Sequence, residues 1–149
     1  MPAILKLPVE KKIFLNLTTE DDPEQDTYVV VRQGTQKDVE RRADQTADAS
    51  RIYRGTDEVE IRTRWSLEEQ KRLEAYLTLV DCNIVLVDDT DDTKTHALFK
   101  FQKINGRMSI AMTEEAFKAA WGQLNETWAD AIHNAVLQMN PQWNPNWKG

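Results

Sequence analysis

Ala97-Leu98-Phe99-Lys100-Phe101-Gln102-Lys103-Ile104-Asn105-Gly106-Arg107-Met108-Ser109-Ile110-Ala111-Met112-Thr113-Glu114-Glu115 is the stretch that decides the fold class. Two apolar-rich runs flank Asn105-Gly106, a pair that tolerates positive φ at both positions, so it reads as the type I′ turn of a hairpin. Thr113 then stands where a helix would be capped, and Glu114 and Glu115 suit the positive end of the helix dipole. A hairpin running straight into a helix points to an α+β domain with a small antiparallel sheet. Its strands here are expected near 96–103 and 107–112.

Beyond the hairpin, Phe117, Ala120, Trp121 and Leu124 line a short helix near 113–121, ended by Gly122. Asn125 caps a second helix near 125–139, with Trp128, Ile132, Ala135, Val136 and Met139 on its apolar side; Asn140-Pro141 stops it. Before the hairpin, Ile84-Val85-Leu86-Val87 reads as a short buried strand near 84–87. Ser66-Leu67-Glu68-Glu69 has the form of a capping box, opening a helix near 66–80 with Leu73, Tyr76, Leu77 and Val80 on one face. Glu58-Val59-Glu60-Ile61-Arg62-Thr63-Arg64-Trp65 alternates strictly and is expected to be a strand near 58–65. Strands near 12–17 and 27–32 flank a polar loop containing Pro23. A surface helix near 36–49 follows, with only Val39, Ala43 and Ala47 as its apolar stripe. The organisation expected is a single domain over 1–149, with a β-rich half (1–64), an α+β half (65–141) and an aromatic tail (142–149).

The chain has 149 residues, a net charge of -6 and one cysteine. One cysteine excludes a disulfide framework and a Cys-based zinc site. No apolar run approaches the roughly 20 residues of a membrane helix, and Met1 to Pro8 is too short an apolar stretch for a secretory signal. The setting expected is a reducing cytoplasm. Residues 32–72 are rich in arginine (Arg41, Arg42, Arg51, Arg54, Arg62, Arg64, Arg72), but acids interleave almost one for one. That pattern reads as a solvated mixed surface and disfavours nucleic acid, which needs a cationic face.

Catalytic and metal-binding motifs do not emerge. The acidic turn of Asp88, Asp89, Asp91 and Asp92 fits neither register of an EF-hand loop: the glycine and glutamate positions hold Thr93 and Phe99, or Lys94 and Lys100. Cys82, at the end of a helix and before an apolar strand, reads as a buried, inert thiol. His96 and His133 lack zinc-ligand spacing and read as surface or boundary side chains. Ser50, Ser66 and Ser109 lie outside any nucleophile elbow. Hence no catalytic set, metal or cofactor is expected.

The tryptophans stand out: five in all, three of them in the last 22 residues. Trp121 and Trp128 fall on helix faces and read as core. Trp143 and Trp147 lie beyond the last helix, where two readings are open. They anchor the tail in a partner's groove, or the tail folds back over the domain's own helices. Trp143 and Trp147 are the first candidates for partner binding, with Phe117 and Trp121 as a secondary groove.

From Trp65 onward the order of features resembles the tail assembly chaperones of long-tailed bacteriophages. The resembling residues are Glu74-Ala75-Tyr76-Leu77-Thr78-Leu79-Val80-Asp81-Cys82-Asn83-Ile84, Glu115-Ala116-Phe117-Lys118-Ala119-Ala120-Trp121-Gly122-Gln123-Leu124, Ala129-Asp130-Ala131-Ile132-His133 and Asn140-Pro141-Gln142-Trp143. The chain departs from that pattern at Cys82, where many relatives have tryptophan, and at Leu124-Asn125, where they have Leu-Pro. The resemblance implies a non-enzymatic protein of the infected cell's cytoplasm that coats the tape measure protein and recruits tail tube subunits. Three alternatives stand beside it: a tail or connector subunit retained in the particle, a small regulator binding a host protein or nucleic acid, and a small enzyme or metal protein. Self-association is left open.

Overall fold

Local capping and turn chemistry builds the carboxy-terminal elements as expected. The computed structural model describes residues 3–4, 8–15, 26–52, 59–87, 90–91 and 93–145, with side chains in 46–52 and 59–66 outside that description. In chain order the elements are β1 (Glu10–Phe14), β2 (Tyr28–Arg32), α1 (Gln36–Ile52), α2 (Val59–Thr78), β3 (Leu79–Cys82), β4 (Val85–Val87), β5 (Thr95–Ala97), β6 (Phe101–Ile104), β7 (Arg107–Ile110), α3 (Glu114–Trp121) and α4 (Glu126–Met139). A 3-10 turn, Pro141–Trp143, follows α4. The fold is α+β, with antiparallel sheets ordered β1-β2-β3, β4-β5 and β6-β7. No helix among the described residues is long and apolar enough to cross a membrane.

Asn105 (φ 50°) and Gly106 (φ 82°) make the hairpin turn between β6 and β7. Thr113 Oγ1 accepts from the Ala116 amide at 3.1 Å, capping α3, and Asn125 Oδ1 accepts from the Trp128 amide at 2.9 Å, capping α4. Val29 and Val31 of β2, Leu79 of β3 and Ile132, Ala135 and Val136 of α4 meet in the core. Phe99 stacks on Phe117 with centroids 4.8 Å apart, and Trp121 continues the stack at 5.9 Å.

Four expectations are corrected. The alternating run 58–65 is helical from Val59 onward, and α2 passes through Ser66 without a break. Alternation over eight residues did not decide against helix: nothing between Val59 and Thr78 is Gly or Pro, and an interior serine costs only about 0.5 kcal/mol. The helix expected to reach residue 80 ends at Thr78, because β2 offers open backbone partners. Val29 pairs with Cys82, Val30 with Asp81 and Val31 with Leu79. The single strand expected near 96–103 is two strands. Leu98 and Phe99 are both buried, and neighbours in one strand cannot both point to the same core, so the chain leaves β5's pairing and resumes as β6. Finally, α1 does not dock by its apolar stripe: Val39 is 41% exposed, Ala43 is exposed, and Asp38 is buried instead. The Ala47 side chain, Asn16, Leu17 and most of the polar loop that follows lie outside the described residues.

Candidate partner-binding surface

Trp143, first candidate as a tail anchor, is a core residue. It is 4% exposed, with the Arg42 guanidinium carbon 4.5 Å from its ring centroid. Asn140, fully buried, fixes the turn that puts it there. Its Oδ1 accepts from the Gly34 amide at 2.7 Å, and its Nδ2 donates to the Arg32 and Val136 carbonyls, each at 3.2 Å. The tail therefore folds back as far as Trp143, in place of an exposed anchor. Phe117 is fully buried and Trp121 nearly so, and together with Tyr76 and Phe99 they fill an aromatic cluster in the interior. Neither forms a groove open to a partner. Trp147 lies outside the described residues.

Three arginines of the middle segment are engaged in ion pairs within the fold. Arg32 pairs with Asp38 at 2.8 Å, Arg41 reaches both Glu114 oxygens at 2.9 and 3.0 Å, and Arg42 lies 3.7 Å from buried Glu74. His133, expected near the surface, is buried with Nε2 3.4 Å from Glu74 Oε1. Burial alone would raise the Asp38 carboxyl. Hydrogen bonds from Arg32 and from the Thr35 amide and hydroxyl, with the Arg32 charge, outweigh it and hold Asp38 below the usual carboxylate range. These contacts dock α1 against β2, α2 and α3.

The other chemical candidates are placed as follows. The Cys82 thiol is pushed up to about 11, chiefly by burial, which keeps it protonated near neutral pH. His96 is exposed on β5. Asp91 organises its own turn, its Oδ1 accepting from the Thr93 amide at 3.0 Å and the Thr93 hydroxyl at 2.6 Å. Asp88, Asp89 and Asp92 lie outside the described residues.

A different surface is open. β4 pairs with β5 in the register Val85↔Ala97, Leu86↔His96 and Val87↔Thr95, and the Leu98 amide extends the ladder to the Ile84 carbonyl at 3.1 Å. Among the described residues, neither strand pairs with any other. Leu86 turns toward the core, while Val85 and Val87 face outward, each 53% exposed, opposite exposed Ala97 and Thr95. The strand expected to be buried is thus turned inward only at Leu86, with Val85 and Val87 exposed. The overlooked signal is its composition: two β-branched residues two apart share one face of a strand, whatever their hydropathy. The ribbon presents a small apolar face and, among the described residues, edges with no further strand on them, the arrangement to which an extended segment of another chain can add.

Compared with known protein families, curated proteins and solved structures, the chain matches none of them.

Proposed function

We propose that this chain is a non-enzymatic bacteriophage tail assembly chaperone. It acts in the cytoplasm of the infected cell, holding the tape measure protein and recruiting tail tube subunits through the outer face of the β4–β5 ribbon. The observation that carries the reading is the outward pair Val85 and Val87, each 53% exposed on strands that pair with no further strand among the described residues. The order of features from Trp65 onward supplies the family. Apolar surface of this kind masks apolar surface on a client, and backbone edges add strand-to-strand hydrogen bonds that depend little on client sequence. The net charge of -6 adds solubility to such a complex.

The test is co-expression with the tape measure and tail tube proteins of the same phage genome. The wild-type chain is expected to co-purify with at least one of them. Val85→Asp combined with Val87→Asp is expected to abolish capture while far-UV circular dichroism and melting temperature stay close to wild type. Full capture by the double variant, or no capture by the wild type, overturns the reading.

A further inference from the structure

Val30 lies between Val29 and Val31 on β2, and strand alternation turns it to the side away from the helices. On that side a cleft of about 420 Å³ opens between the three-stranded sheet and the β6–β7 hairpin, with Val30, Val80 and Met108 as apolar lining. A bulge shapes one wall: Val30 pairs with Asp81 but Val31 with Leu79, leaving Val80 as the extra residue. The irregularity brings both Val80 and Asp81 into the same cleft, where strict alternation would send one of them to the opposite face.

The charges in the cleft do not cancel. Arg107 Nη2 donates to Glu10 Oε1 at 2.7 Å and to the Pro8 carbonyl at 3.4 Å, so the guanidinium is committed to Glu10. Asp81 accepts from the Cys82 amide through Oδ1 at 2.9 Å and has no basic partner among the described residues. Among the described residues, one carboxylate is therefore left uncompensated beside apolar walls. Gly106, at the mouth, places no side chain in the way.

We infer that this cleft binds a single cationic head group, a primary ammonium or a guanidinium, carried on an apolar stem. Asp81 meets the charge, and Val30, Val80 and Met108 pack the stem. Two sources share this chemistry: a lysine or arginine side chain of a partner protein, and a free alkylamine. The inference rests on Asp81 and the cleft, independently of the ribbon.

The experiment is a ¹H–¹⁵N NMR titration of the whole protein with n-butylammonium, with N-acetyl-lysinamide and with the uncharged n-butanol. For ligands of this size, binding in the millimolar range, about 1–10 mM, is expected. Shifts should concentrate at the amides of 80–82 and 106–108. Asp81→Asn retains an oxygen for the Cys82 amide and is expected to weaken both amines at least about tenfold. Tighter binding of N-acetyl-lysinamide than of n-butylammonium assigns the site to a protein side chain, and the reverse order assigns it to a free amine. Equal binding of n-butanol, an unchanged affinity in Asp81→Asn, or no shifts at these amides overturns the inference.

Discussion

Gly34 and Trp143 provide the sharpest check on the folded-back tail. A Cβ added at Gly34 would come 2.8 Å from Trp143 Cη2, and closer still to Cζ2. Gly34 does not have positive φ, so alanine is allowed by the backbone there and its cost comes from the ring alone. Overpacking of this kind costs about 1–3 kcal/mol, and the ring has little freedom to retreat with Arg42 on its face. Trp143→Ala removes a side chain that is 4% exposed and should cost about 3–5 kcal/mol, including about 1 kcal/mol from the stacked guanidinium. In the Trp143→Ala background the ring clash is gone and the added methyl keeps only a van der Waals contact with Asn140 Oδ1 at 3.4 Å. Gly34→Ala should then be neutral, or stabilising by about 0.5 kcal/mol through the unfolded chain. The two substitutions should therefore couple by about 2 kcal/mol in urea unfolding followed by circular dichroism at 222 nm. Additivity within about 0.5 kcal/mol, or a Trp143→Ala cost below about 1 kcal/mol, would refute the packing of the tail onto β2 and α1.

Two further outcomes follow from the docking of α1. The Asp38 carboxyl titrates lower in the folded than in the unfolded chain, so its stabilisation is complete above the unfolded value of about 3.9 and is lost as pH falls through the folded one. Asp38→Asn should cost about 1–2 kcal/mol at pH 7 and progressively less as the pH is lowered below about 3.9, and an equal loss across that range would show that its charge contributes nothing. Because α1 is held by Arg32–Asp38, Arg41–Glu114 and Arg42–Glu74 with Val39 outward, its amides should exchange faster than those of α4. Added salt should widen the gap, and α1 protection equal to that of α4 at all ionic strengths would rule out charge-based docking.

What the sequence made legible is what its neighbours in the chain determine. Thr113 and Asn125 cap their helices within three residues, and Asn105-Gly106 needs only its own two dihedrals, so α3, α4 and the β6–β7 hairpin stand where expected. The misplaced elements depend on distant partners. Leu79 to Cys82 become a strand because β2 is there to pair, and Leu98-Phe99 interrupt a strand because the core takes both side chains. The fate of Trp143 was set by Gly34 and Asn140, which carry no sign of one another in sequence. Counting tryptophans identified residues that matter for packing: Trp121 and Trp143 are both buried.

The edges of the sheets bear on the proposal that the β4–β5 ribbon takes a partner. An exposed strand edge invites pairing, and proteins commonly guard it with charge, lysine above all. β1, the outer strand beside β2, carries Lys11 and Lys12. The Lys12 ammonium lies 4.0 Å from the Tyr28 ring centroid and 5.7 Å from that of Phe14, shielding an aromatic pair that would otherwise be an adhesive surface. β4 and β5 contain no lysine, arginine, aspartate or glutamate, and the outward residues Val85 and Val87 are β-branched. Such side chains are already restricted at χ1, so burying them against a client sacrifices little rotamer entropy. The contrast between a guarded edge at β1 and an uncharged one at β4–β5 is what favours the ribbon in the proposed reading. Lysine placed at Thr95 and Ala97 would extend the β1 device to β5, and that change should reduce client capture without touching the core.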